Sequence, residues 1–293
     1  MSEDADPRMA TMEGWPVPSL LAALWEGQFA AVAATGPALP ALADAVAAAL
    51  PRLQSGGRLA YAGAGTSGRI AAQDGAELAP TFGWDRTVLL LAGGPDALRH
   101  AAEGAEDRAD LGAADGARLG PADVLIALAA SGRTPYTVAC VTAARAAGAL
   151  TIGIAHSPGT PLLDAAEHPV LLLTGAEPIA GSTRMKAGTA QKVALNLIST
   201  ALMAGLGRTY RGRMVNMAQT NTKLRARAAT MVSELAGVGP DAAAVALTEA
   251  GGAIKLAILL ARGWTGPAAL SALLDHHGRL GDVLDGNAAA GSA

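Results

Sequence analysis

From position 57 onward the chain alternates short apolar runs ending in Gly or Ser with longer stretches of helical periodicity. Runs at 58–64, 87–92, 123–129, 150–155 and 169–173 read as strands, and the stretches between them as crossover helices. That rhythm predicts a parallel sheet. Ahead of it, residues 18–34 and 38–53 are rich in Ala and Leu and separated by Thr35-Gly36-Pro37, the pattern of two helices. After Gly181 no strand pattern recurs. Residues 182–206 read as one long, mostly apolar helix, and from Asn221 shorter helices are broken at 237–240, 251–252 and 263–267. Three parts follow: an N-terminal helical arm (1–54), an α/β domain (55–220) and a C-terminal helical subdomain (221–293). The expected fold class is α/β, a three-layer αβα domain on a five-stranded parallel sheet of order 2-1-3-4-5.

Composition narrows the classes. The 293 residues are 51% hydrophobic with a mean hydropathy of +0.30. The apolar runs are short, and even 193–206 carries Asn196, Ser199 and Thr200, so no uninterrupted run of roughly 18–20 residues predicts a membrane span. The first residues are acidic and lack the basic-then-apolar order of a signal peptide. The single Cys140 permits no intrachain disulfide and suits a reducing cytoplasm. With a net charge of −3 and no basic cluster beyond 208–213, neither nucleic acid nor a membrane is an expected partner.

Candidate chemistry begins at Gly63-Ala64-Gly65-Thr66-Ser67-Gly68, which matches the G-x-G-x-x-G of dinucleotide sites. Such sites need an acidic residue about 20 positions on, after the second strand. Here that strand ends in Ala92-Gly93-Gly94-Pro95, and Asp85 precedes it. The loop instead offers the Thr66 and Ser67 hydroxyls and free N–H groups at a helix start, which suit a single phosphate. The third strand ends similarly, in Ser131-Gly132-Arg133-Thr134-Pro135. In the order 2-1-3-4-5, strands one and three are neighbours whose helices leave on opposite faces, so both loops face one crevice. Helix capping is the competing role for these hydroxyls. A third region, Gly181-Ser182-Thr183-Arg184-Met185-Lys186, puts two cations in the first turn of the long helix, where its dipole disfavours them unless an anion is near.

The five histidines show no metal-ligand spacing, and there is no G-x-S-x-G elbow. Neither metal nor cofactor is expected. Carboxylates remain: Asp74 and Glu77 on the helix after the first loop, and Glu103, Glu106 and Asp107 on the helix after strand two, each of a type that is more often a solvated helix charge.

The motifs "GAGTSGRIAAQDGAEL", "EGAED", "AASGRTPY", "GSTRMKAGTAQK" and "TNTKL", in this order, resemble the N-acetylmuramic acid 6-phosphate etherases of the SIS (sugar isomerase) superfamily, from about Gly57 to Leu224. The resemblance implies cleavage of the D-lactyl ether at C3 of N-acetylmuramic acid 6-phosphate to N-acetylglucosamine 6-phosphate and D-lactate. It also implies a homodimer in cell-wall sugar recycling that uses neither metal nor nucleotide. The family's catalytic glutamates map onto Glu77, the acid on the leaving group, and Glu106, the C2 base. Gly65, Thr66, Ser67, Ser131, Gly132, Arg133, Thr134, Ser182, Thr183, Arg184 and Lys186 are the expected phosphosugar-binding positions. The chain departs from the family in "TMEGWPVPSLLAALWEGQ" and at Asn216, where the family pattern has an acid. A non-catalytic sugar-phosphate sensor of the same superfamily and an aldose–ketose isomerase are the rival readings.

Overall fold

A computed structural model describes residues 4–100 and 102–290. Two helices, α1 (Val17–Ala33) and α2 (Leu39–Gln54), come first, joined by a 3-10 turn at Gly36–Ala38. By length and composition Val17–Gln54 is apolar enough to cross a membrane, contrary to the expectation from uninterrupted runs. It is divided by that turn, however, and α2 buries Leu42, Ala45, Ala49 and Leu53, residues spaced three or four apart on one face. The alternating segment then gives β1 (Leu59–Gly63), α3 (Gly65–Phe82), β2 (Thr87–Leu91), α4 (Ala109–Gly116), β3 (Val124–Leu128), α5 (Pro135–Ala146), β4 (Leu150–Ala155), α6 (Pro161–Ala165), β5 (His168–Leu171) and α7 (Lys186–Gly205). All four strand pairings are parallel and the order is β2-β1-β3-β4-β5, as the sequence predicts. β1, β3 and β4 are buried along their whole length, which explains why they read as unbroken apolar runs without alternation.

Two predicted helical regions differ. The segment after β2 is not one helix but a 3-10 turn (Pro95–Leu98), a second 3-10 turn (Ala105–Asp107) and then α4. Gly93, Gly94 and Gly104 all take positive φ there and interrupt helical geometry. α7 begins at Lys186, four residues later than predicted, because residues up to Met185 form turns.

The described residues form two compact units, Met1–Ala76 with Arg86–Thr200, and Glu77–Asp85 with Ala201–Ala293. The first holds the sheet together with α1 and α2. The second is built on α8 (Thr222–Ala236), α9 (Pro240–Glu249), α10 (Ile254–Ala261), α11 (Gly266–Asp275) and α12 (Leu280–Ala290), with Met231, Val232, Leu247, Ile254, Ile258 and Leu259 in its core. Within that unit Arg208 donates to the carbonyls of Phe82 and Gly83 at 2.8 and 2.7 Å and lies over the Trp84 ring, so part of the short basic run is structural. The Lys255 ammonium donates to the Gly278 carbonyl at 2.6 Å, and burial together with nearby Arg208 lowers its pKa to about 8.

Candidate active site

β1 delivers the chain into α3 through a turn that only small residues permit. A Cβ on Gly63 would lie 2.9 Å from the Gly68 amide nitrogen, and one on Gly68 would lie 2.8 Å from the Gly63 oxygen. The two glycines let the first turn of α3 press against the strand end, so the G-x-G-x-x-G spacing serves packing and leaves the N-terminal amides open. From β3 the second turn is set by Gly132, which has φ +68° and whose added Cβ would collide with the Thr160 side chain.

Between the turns lies a cavity of about 410 Å³ lined by Ala64, Gly65, Thr66, Ser67, Glu106, Asp107, Ala130, Ser131, Arg133, Thr134, Pro135, Gly181 and Thr183. The Thr134 hydroxyl occupies the N-cap position of α5 yet makes no capping hydrogen bond, and Ser67 makes no side-chain hydrogen bond among the described residues. Capping therefore does not account for either. Ser131 Oγ accepts from the Arg133 amide at 3.2 Å, which fixes the loop's curl.

Of the predicted positions, Gly65, Thr66, Ser67, Glu106, Ser131, Arg133, Thr134 and Thr183 line this cavity; Gly132, Ser182, Arg184, Lys186 and Glu77 do not. Gly132 shapes the turn. Arg184 is exposed. Glu77 is also exposed, twelve residues beyond Gly65 on α3, about 18 Å of helix rise. Lys186 turns elsewhere: its ammonium donates to the Ala176 carbonyl at 2.9 Å and borders a separate cavity with Asp6, Arg8, Trp15 and Glu26.

The anion that α7's first turn calls for is supplied by the chain itself. Glu177, with no exposed surface, accepts from the Lys186 amide at 2.9 Å and the Ala187 amide at 2.8 Å. A carboxylate at a helix N-terminus meets both the orphan donors and the dipole. Nothing in the sequence spacing marks Glu177, nine residues upstream in a loop. Asp107, one of the candidate carboxylates, and Gly181, in the third candidate region, were not assigned to the site, and both reach the cavity from irregular turns. Asp74, read as a solvated charge, is 4% exposed: it accepts from Tyr61 Oη at 2.8 Å and Ser199 Oγ at 3.2 Å, with Lys192 Nζ at 3.7 Å, and so ties β1, α3 and α7 together. Desolvation and that carboxylate hold the Tyr61 phenol well above its usual pKa.

At the end of β4 the His156 ring is buried, with Nδ1 3.3 Å from Thr174 Oγ1, and its amide donates to the carbonyl of Ala130 on the cavity wall. Burial lowers its pKa to about 4. Among the described residues no group of three or more His, Cys, Asp or Glu side chains forms a metal-binding cluster.

Two family descriptions match parts of the chain: the glucokinase regulatory protein N-terminal SIS domain over residues 41–145, and the SIS domain over residues 108–201. The N-acetylmuramic acid 6-phosphate etherase of Deinococcus radiodurans is 50% identical over 263 residues, covering 88% of this chain and 86% of that one. The enzyme of the same name from Cronobacter sakazakii is 43% identical over 289 residues, 97% of both chains. The chain belongs to the N-acetylmuramic acid 6-phosphate etherases. Identity at this level across nearly the whole length makes it a carbon–oxygen lyase with an SIS fold. A phosphoheptose isomerase from Francisella tularensis shares the fold alone, with a TM-score of 0.50 and 18% identity, over 65% of this chain and 100% of that one. Asn216, the departure noted above, keeps its side-chain oxygen buried without a hydrogen-bond partner among the described residues.

Proposed function

We propose that this etherase grips the 6-phosphate of N-acetylmuramic acid 6-phosphate between the α3 start and the Ser131–Thr134 turn, with Glu106 as the base at C2. The observation that carries this reading is the single cavity in which the uncapped Ser67 and Thr134 hydroxyls, Arg133 and Glu106 meet. Ring opening gives a C1 aldehyde that acidifies the C2 proton. Glu106 takes that proton, the C2 electron pair forms the C2=C3 double bond, and the C3–O bond breaks as an acid protonates the departing lactate oxygen. Water then adds its hydroxyl to C3 and returns a proton to C2, giving N-acetylglucosamine 6-phosphate and D-lactate. No step draws on metal or nucleotide.

By resemblance the acid is Glu77. A second reading is Asp107, favoured by its place on the cavity wall beside Glu106. Incubating the protein with N-acetylmuramic acid 6-phosphate and measuring D-lactate tests the activity: a sensor would bind without turnover and an isomerase would yield a ketose. Comparing Glu77→Ala with Asp107→Ala then identifies the acid, because only the true acid's loss abolishes lactate release while phosphosugar binding survives.

The chain is proposed to act as a cytoplasmic homodimer in amino-sugar recycling. Val17, Leu21, Trp25, Phe29 and Val32 expose a continuous apolar stripe along one face of α1, a surface suited to a second copy. Sedimentation of Trp25→Glu should report a shift toward monomer.

A further inference from the structure

Beside the phosphate cavity lies a second one of about 220 Å³, sharing Ala64, Gly65 and Glu106 with the first. Its other walls are Ala92, Ala97, Ala102, Glu103, Gly104, Ala105 and one cation, Arg69. Arg69 stands in the second turn of α3 and is half-buried. Its Nε donates to the Ala97 carbonyl at 3.0 Å and its Nη2 to the His100 carbonyl at 3.3 Å. Those bonds occupy one edge of the guanidinium and fix its plane. The end-on edge, formed by Nη1 and the second hydrogen of Nη2, has no partner among the described residues. A fixed guanidinium with one free edge is the geometry that receives a carboxylate through two parallel hydrogen bonds.

The substrate carries a second anion besides its phosphate, the carboxylate of the lactyl group on O3. With phosphate at the hydroxyl turns and C2 at Glu106, as proposed above, the C3 substituent would extend past the shared wall toward the second cavity. The small Ala and Gly walls there suit a lactyl methyl. Glu103 and the shared Glu106, both exposed, are the opposing charges, so the carboxylate is held only where Arg69 reaches it.

We propose that Arg69 binds the lactyl carboxylate and is the residue by which the enzyme separates substrate from product. This deepens the etherase reading and rests on it.

Steady-state kinetics of wild type, Arg69→Gln, Arg69→Lys and Arg133→Gln test it with three ligands: N-acetylmuramic acid 6-phosphate, its lactyl methyl ester, and N-acetylglucosamine 6-phosphate as competitive inhibitor. In Arg69→Gln the acid's KM should rise at least about tenfold with kcat within about threefold, since one charge-assisted pair is lost from binding. The ester's KM and the inhibition constant of N-acetylglucosamine 6-phosphate, which lacks the carboxylate, should match wild type. Arg69→Lys should restore part of the preference for acid over ester. The proposal is overturned if Arg69→Gln keeps the wild-type acid-to-ester ratio, if it weakens all three ligands equally, or if Arg133→Gln erases the ratio instead. Absence of lactate from the wild type removes the etherase reading itself; normal wild-type turnover without the acid-to-ester split removes only the role of Arg69.

Discussion

Helices α3 and α7 both start with small and hydroxyl-bearing residues, both have cations close by, and from sequence both qualify as anion sites. Only one is open. At α3 the Gly63–Gly68 packing leaves the N-terminal turn facing a cavity, with the Ser67 side chain unpaired among the described residues. At α7 the buried Glu177 carboxylate already accepts the Lys186 and Ala187 amides, and Lys186 is turned to the Ala176 carbonyl. A helix start with cations near it therefore announces a need for negative charge, and only the loop before it reveals whether that charge comes from the chain or from a ligand.

The largest effect that sharpens this contrast comes from Glu106, which is on the wall of the open end. Glu106→Ala should lower lactate release by about 10²–10⁴-fold, the usual worth of a positioned base, while calorimetry finds unchanged affinity for N-acetylglucosamine 6-phosphate. Parallel loss of both would mean that the open end and the chemistry are not separable.

Next in size is acidification. The His156 amide supports Ala130 at the open end, and the ring's folded pKa of about 4 lies below its usual 6.5 because burial disfavours the cation. Between those values the unfolded chain binds more protons than the folded one, so stability is complete above about pH 6.5 and falls as pH drops toward 4. The loss should reach about 3 kcal/mol. Urea unfolding at pH 7 and pH 4.5 measures it, and His156→Gln should flatten the dependence.

At the closed end, Glu177→Ala removes the partner of two helix amides and should destabilise the fold by about 1–3 kcal/mol in thermal or urea unfolding. N-acetylglucosamine 6-phosphate affinity should stay near wild type at temperatures where the variant is folded. Smallest are the hydroxyls of the open end: Ser67→Ala and Thr134→Ala should each weaken that ligand by about 1 kcal/mol, roughly fivefold, whereas Ser182→Ala, outside the cavity, should leave it unchanged.

How much of this was legible in the sequence follows the same contrast. Regular elements with buried strands were readable: β4 has the predicted bounds and the sheet order is as expected, because short apolar runs ending in glycine or serine and alternating with helical stretches leave few alternatives. The two hydroxyl turns were readable because the topology puts the ends of β1 and β3 side by side. What escaped lies in irregular backbone. The resemblance pointed to Glu106, but not to the 3-10 turn after Gly104 that carries it with Asp107, and Glu177 reaches α7 from a loop. Asp74 looked solvated because its partners, Tyr61 and Ser199, are 13 and 125 residues away in sequence. No local period encodes such contacts.

The most direct test is a crystal structure of Glu106→Gln with N-acetylmuramic acid 6-phosphate bound. The phosphate should lie within hydrogen-bond reach of Ser67 at the start of α3 and Thr134 at the start of α5, with C2 of the sugar facing residue 106. Phosphate held instead by Arg184 and Lys186 at the start of α7, with Glu177 displaced, would contradict the assignment of the open and closed ends.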